Sequence, residues 1–491
     1  MFSDAPEPRA ERSSAQSPMR SRAPRSPRQR RPGPGWGRVR TGRAAPLAAA
    51  LAGAVTASLL TACGGGSDSA VDPAESLRPT ARPATASVDD VNGAKASPEC
   101  AAAVKTLRMA AVGSLNDAAK SGKAYMEKAH PGLTVELSAE APGYPELVAQ
   151  LSADRAAGRS TDVAVAGFDL LPTFATDLGA QELSPSLLRA SYDQRFLPLG
   201  EYRGKLVAIP QQVSVLTLVY NKGVLEKAGV DPATLTTTTG VLAAADKIKA
   251  SGQSIQPIDL PTGGFAQWYL STLASSKGTP VQKADGQPDL TTPAAREAAA
   301  FLAKVGTYGP QSSDPTTEGL LRFGIRRETA ISAVTLPTLA GGLRYIHDQG
   351  AQGFEVGVLP FPTLPGGSVR PVAGGNGLAV LSTDRCQREM ATELVVALLS
   401  PEVIAAGTEA FSFYPVDTAA RTQLAPFYRE FPELTQFDAL IPAIVQAPTW
   451  GGERGGEVHD TINDELVAII RGADPNATLT AAQRKVTELV R

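Results

Sequence analysis

Residues 106–166, TLRMAAVGSLNDAAKSGKAYMEKAHPGLTVELSAEAPGYPELVAQLSADRAAGRSTDVAVA, carry the pattern on which the fold turns. The segment 106–112 is a short apolar strand closed by Gly113-Ser114. From 115 to 129 the apolar and small residues Leu115, Ala118, Ala119, Tyr125, Met126 and Ala129 recur at helical spacing, and Pro131-Gly132 ends that helix. Residues 133–138 alternate as a strand, 144–157 return to a helix, and 162–166 (DVAVA) form a strand apolar on both faces. Strand, helix, strand, helix, strand calls for a parallel sheet covered by helices, an α/β fold. Further strands are expected at 204–210 (GKLVAIP), 215–220 (VLTLVY), 329–334 (TAISAV), 354–359 (FEVGVL) and 377–381 (GLAVL), and mostly helix from 384 onward.

The chain has 491 residues, enough for two cores, with 43% hydrophobic and 20% charged residues, ordinary globular values. Its net charge of −2 hides an asymmetry: residues 1–62 hold eleven Arg against three acids, leaving 36 basic and 46 acidic residues in the remainder. A body at −10 excludes nucleic acid as a partner, because phosphate binding needs clustered Lys and Arg. The three His (His130, His347, His459) are too scattered for a conventional metal cluster, so no metal or cofactor is expected.

The N-terminal region reads as an address. The apolar run 44–60 suits a signal-peptide core better than a membrane span. It ends in Leu60-Thr61-Ala62-Cys63-Gly64, which resembles a bacterial lipobox, with Cys63 as the lipidated residue. The alternative is a transmembrane helix with an incidental Cys, but Gly-Gly-Gly-Ser follows in place of a charged stop signal. Residues 63–99 are nearly devoid of large apolar side chains and read as a flexible tether, about 30–35 Å from end to end. Cys100 and Cys386 form an even pair in an oxidising compartment, which suggests a disulfide; two unpaired thiols are the alternative.

Several stretches together resemble the family 1 extracellular solute-binding proteins, the group that contains maltose- and glycerol-phosphate-binding proteins. They are GKLVAIP with Val219-Tyr220-Asn221-Lys222, Glu328-Thr329-Ala330-Ile331, 358–378, and 398–402 with Phe413-Tyr414-Pro415-Val416. In order and spacing they cover about residues 104–485. The resemblance implies a two-lobed periplasmic-binding-protein-like fold with three hinge crossings, near Gln212, Phe361 and Tyr414. Lobe one would comprise 104–213 and 358–413, and lobe two 214–357 and 414–491. It further implies a monomeric, lipid-anchored binding protein on the extracytoplasmic face of the membrane. Such a clamp would capture a small saccharide or sugar-like solute by lobe closure and pass it to an ABC permease, without being an enzyme.

The candidate ligand residues follow. Asp169 falls where maltose-binding relatives place a ligand-contacting acid, and a carboxylate accepts strong hydrogen bonds from hydroxyls; the alternative is a helix cap. Phe265 and Trp268 match the family's aromatic positions and offer faces for a sugar ring; the alternative is core packing at i, i+3. Trp450 lies in a Pro/Gly-rich loop, where an aromatic is less often core. Arg454 is a candidate for a carboxylate, phosphate or hydroxyl pair, or else a solvated loop charge. Ser214 beside the first hinge, Gly375 and Asn376 by the second, and Tyr144 after Gly143 add hydrogen-bonding candidates. One departure stands out: after ETAI, relatives often carry a Trp beneath the ligand, whereas this chain reads Val334-Thr335-Leu336-Pro337.

Two other classes compete. A secreted carbohydrate-active hydrolase would need paired carboxylates or a nucleophile, and no Gly-x-Ser-x-Gly elbow is present. A lipoprotein that senses a ligand without transporting it would share every feature above.

Overall fold

The computed structural model describes residues 82–490 apart from 90, 92, 139–140, 142, 315–317, 350–352 and 452–453. The signal segment, Cys63 and residues 63–81 of the expected tether lie outside the described residues.

The opening pattern folds as the parallel half of a six-stranded sheet. Strands β1 (Thr106–Ala110), β2 (Thr134–Leu137) and β3 (Val163–Gly167) run parallel with β1 in the middle, linked by helices α1 (Asn116–Ala129) and α2 (Tyr144–Ala156). All five residues of β3 are buried, as an apolar run covered on both faces requires. Strand β4 (Ile209–Ser214) joins the same sheet, and β5 (Leu216–Asn221) belongs to a second, four-stranded one. The chain therefore changes sheet at Val215. The second sheet also holds β6 (Gln256–Asp259), β7 (Thr329–Thr335) and β8 (Val356–Pro360), in the order β8-β5-β7-β6. Strand β9 (Gly374–Val380) returns to the first sheet between β3 and β4, and the two-residue β10 (Tyr414–Pro415) closes its edge beside β4.

Three departures from the expected boundaries have physical causes. Strand β8 pairs with β5 along its whole length, and Phe361 and Leu364 pack into the second core, so the return crossing begins only after them. Residues 414–417 join the first lobe, because β10 pairs with β4 and Ser191 donates to Asp417 Oδ2 at 2.6 Å, whereas the segment beyond packs against both lobes, with Phe431 stacked on His347 and Gln436 donating to the Val358 carbonyl. The chain is packed in the second core by Trp450. Finally, the tether does not extend to Glu99. Ala86, Val88, Val91 and Ala94 pack against Val396, Ala397 and Val403, and the backbone amide of Ala96 donates to Glu393 Oε2 at 2.8 Å. Two valines three residues apart suffice here, since the groove they fill is already built by helices.

Helix α3 (Ala266–Ser276) follows β6 in the second lobe, and α4 (Arg385–Leu398) follows β9 in the first. Asp384 caps α4 by accepting from the Gln387 amide. Cys386, in its first turn, is joined to Cys100 with the Cα atoms 4.6 Å apart. Near the C-terminus, helix α5 (Gly455–Ile470) packs on the second core through Val458, Ile462, Leu466 and Ile469.

Candidate functional site

Where the C-terminal ends of the first lobe's strands face the second lobe, the walls enclose a cavity of about 210 Å³. The first lobe contributes Tyr144 at the start of α2, Phe168 and Asp169 in the turn after β3, and the Gly374-Gly375 end of β9. The second lobe contributes Phe265 and Trp268 from the opening of α3, Trp450, and His459 from the first turns of α5.

Glycine is required on the hinge side. A Cβ on Gly374 would stand 2.4 Å from Cη2 of Trp268, so the indole lies directly against bare backbone. Gly375 adopts φ +111°, and a Cβ there would meet the Gln212 carbonyl oxygen at 1.9 Å. Trp268 donates its Nε1 to the Val372 carbonyl at 2.9 Å, which spends its one polar group on the scaffold and leaves ring surface for the cavity. Phe265 meets Trp268 edge to face, with ring centroids 5.5 Å apart.

Asp169 is the one carboxylate among the described residues lining the cavity. Burial pushes its carboxyl above the ordinary range, and His459 opposes that shift. Tyr144 Oη accepts from Asn376 Nδ2 at 2.8 Å, and burial pushes the phenol up to about 12, so its proton stays on and is free to donate. Asn376 also donates to Gln212 Oε1 at 2.9 Å, and its own Oδ1 has no hydrogen-bond partner among the described residues.

Six of the nine candidates thus meet at one cavity: Tyr144, Asp169, Phe265, Trp268, Gly375 and Trp450. Trp450 does so as a core residue, 4% exposed, and not as a free loop aromatic. The other three stand elsewhere. Asn376 is fully buried behind Tyr144 and holds it; Ser214 is buried beside Gly374 in the sheet and does not reach the cavity wall. Arg454 lies in a different surface groove with Tyr202 and Asp285, where its guanidinium forks onto Glu457 at 2.7 and 3.1 Å. That pair forms at i, i+3 on neighbouring turns, which holds the guanidinium on the surface. Phe168, Gln267 and Ser271 line the cavity without being among the candidates, and so does His459. Its signal was faint, a lone His early in an amphipathic helix, and only the approach of the two lobes brings it to Asp169. Among the described residues, no three His, Cys, Asp or Glu side chains gather to hold a metal ion.

Two α/β lobes, three crossings and an interlobe cavity define a ligand-binding clamp. The chain belongs to the bacterial extracellular solute-binding protein family, whose profile matches residues 121–436. A binding protein of Brucella abortus is 25% identical over 386 residues, which cover 75% of this chain and 89% of the relative. Among solved structures, UgpB of Mycobacterium tuberculosis in complex with glycerophosphocholine superposes with a TM-score of 0.66 at 18% identity, covering 79% of this chain and 98% of that one. The GacH receptor of Streptomyces glaucescens, solved unliganded and with acarbose, gives 0.63 at 18% identity over the same shares. At these identities the two structures establish the two-lobed fold.

Proposed function

We propose that this chain is the solute-capturing component of an ABC importer. It would be anchored by a lipid on Cys63 at the extracytoplasmic face, act as a monomer, and close its lobes on a small saccharide or sugar-like polyol. The observation that carries this reading is the cavity itself: aromatic faces from the second lobe opposite a carboxylate and a phenol from the first. Aromatic rings suit the C–H face of a sugar, and Asp169 and the Tyr144 proton suit its hydroxyls. Pockets for drug-sized ligands run to roughly 300–1,000 Å³, so a cavity of about 210 Å³ favours a single ring or short polyol over an oligosaccharide. A phosphorylated solute loses the support of Arg454, which lies outside the cavity. A retaining or inverting glycosidase needs two carboxylates across the bond, and Asp169 stands alone among the described lining residues.

A thermal-shift screen of monosaccharides and polyols, followed by calorimetry on the hits, tests this reading. Saturable one-to-one binding without product is expected. Turnover of a chromogenic glycoside, or silence across the whole panel, would overturn it.

A further inference from the structure

The cavity has a one-sided charge. Asp169 is the only formally charged group on its described walls, and no Lys or Arg side chain lines it. The facing imidazole of His459 stands 3.8 Å from the carboxylate, too far for a hydrogen bond. No side-chain donor among the described residues hydrogen-bonds Asp169; the contact it does make is with its own backbone amide. The Asp169 side chain keeps 34% of its surface accessible, so a positive group on a solute can reach it directly.

The remaining walls supply the second half of a cation site. Phe265 and Trp268 present ring surface from one lobe and Tyr144 from the other, backed by the buried rings of Trp450 and Phe168. Because the Trp268 Nε1–H is committed to the Val372 carbonyl, that residue offers the cavity its electron-rich ring and not its donor. Ring faces attract ammonium groups, most strongly where water is excluded. A neutral sugar would find few polar partners here: beyond Asp169, the described walls offer the side chains of Tyr144, Gln267, Ser271 and His459.

We infer that the solute carries a positively charged nitrogen, as in an amino sugar or an aminated polyol, seated between the aromatic faces and paired with Asp169. The inference rests on this cavity being the solute site. It adds the charge class that the saccharide reading leaves open.

The test is calorimetry on the full-length chain at neutral pH with four probes: glucosamine, N-acetylglucosamine, glucose and tetramethylammonium. Glucosamine should bind about tenfold or more tightly than its two neutral counterparts, the ratio expected of a hydrogen bond to a charged group. Tetramethylammonium should compete with it. Asp169→Asn should erase the preference, leaving glucosamine within about threefold of glucose whatever the absolute affinities, with far-UV circular dichroism and thermal melting confirming the fold. Asp169→Glu should recover part of it. Equal or tighter binding of the neutral sugars would overturn the cation inference and leave the saccharide reading standing. Binding of tetramethylammonium with no saccharide bound would do the reverse. No response to either cationic probe also overturns the inference.

Discussion

Asp169 and His459 face each other from opposite lobes, with Oδ2 and Nε2 3.8 Å apart at the edge of the cavity. Each comes from an element that the other lobe does not share, so their separation is set by how far the lobes have closed. The carboxylate also sits where burial disfavours its charge.

That burial sets the first expected outcome. An acid whose folded-state pKa is raised contributes stability that is complete below its ordinary value of 3.8, and loses it as pH rises through the raised value. Asp169→Asn, which cannot ionise, should therefore match the wild type in melting temperature near about pH 3 and melt higher at neutral pH. Affinity for a cationic solute should move the opposite way, rising with pH across the same window as Asp169 ionises. Thermal melts and calorimetry across pH check both, and a variant that melts lower at neutral pH contradicts the assignment.

Gly374 should prove as important as the aromatic it serves. Trp268→Ala removes ring surface and is expected to weaken binding by about 1–3 kcal/mol. Gly374→Ala would drive a methyl into the space of Trp268 Cη2 and should weaken binding comparably, with the fold retained. Retention of wild-type affinity in Gly374→Ala would show that the indole face is not used.

Asn376 and Tyr144 should behave as a pair in which one residue orients the other. Tyr144→Phe deletes the donor and is expected to cost about 0.5–1.5 kcal/mol of binding, and it lowers the melting temperature because a buried Asn376 amide proton loses its acceptor. Asn376→Ala should weaken binding by a similar amount and also lower the melting temperature, since Gln212 Oε1 loses a buried donor. By contrast, Arg454→Ala should leave affinity within about threefold, its partner being Glu457 on the surface. Calorimetry on the three variants separates these roles.

The bridge between Cys100 and Cys386 ties the helix Pro98–Ala103 to α4 within one lobe and spans 286 residues. Replacing both cysteines with Ala should cost about 2–5 kcal/mol of stability, read as the shift in a denaturant midpoint. Solute affinity should be unchanged, because neither residue lines the cavity. A loss of affinity in the folded variant would mean that the bridge restrains the moving parts.

Much of this molecule was legible without coordinates. The alternation of short apolar strands and helices through 106–166 specified a parallel sheet, because period and burial are local properties of the chain. The change of sheet at Val215 was close to readable for the same reason: two apolar strands follow each other with no helix between them. What the sequence could not express was which lobe would claim a segment equally able to pack on either. After β10 found the edge of β4, a partner 200 residues earlier in the chain, the amphipathic helices and turns that follow reached across to His347 and Val358 of the second lobe. The cavity divides in the same way. Asp169, Phe265 and Trp268 follow strand ends or open helices, positions that sequence pattern can locate. Trp450 became core by packing into the second lobe and Arg454 left the site through a local pair with Glu457, but His459 entered it only through the approach of two separately folded lobes, a contact between residues hundreds of positions apart that leaves no periodic trace in the chain.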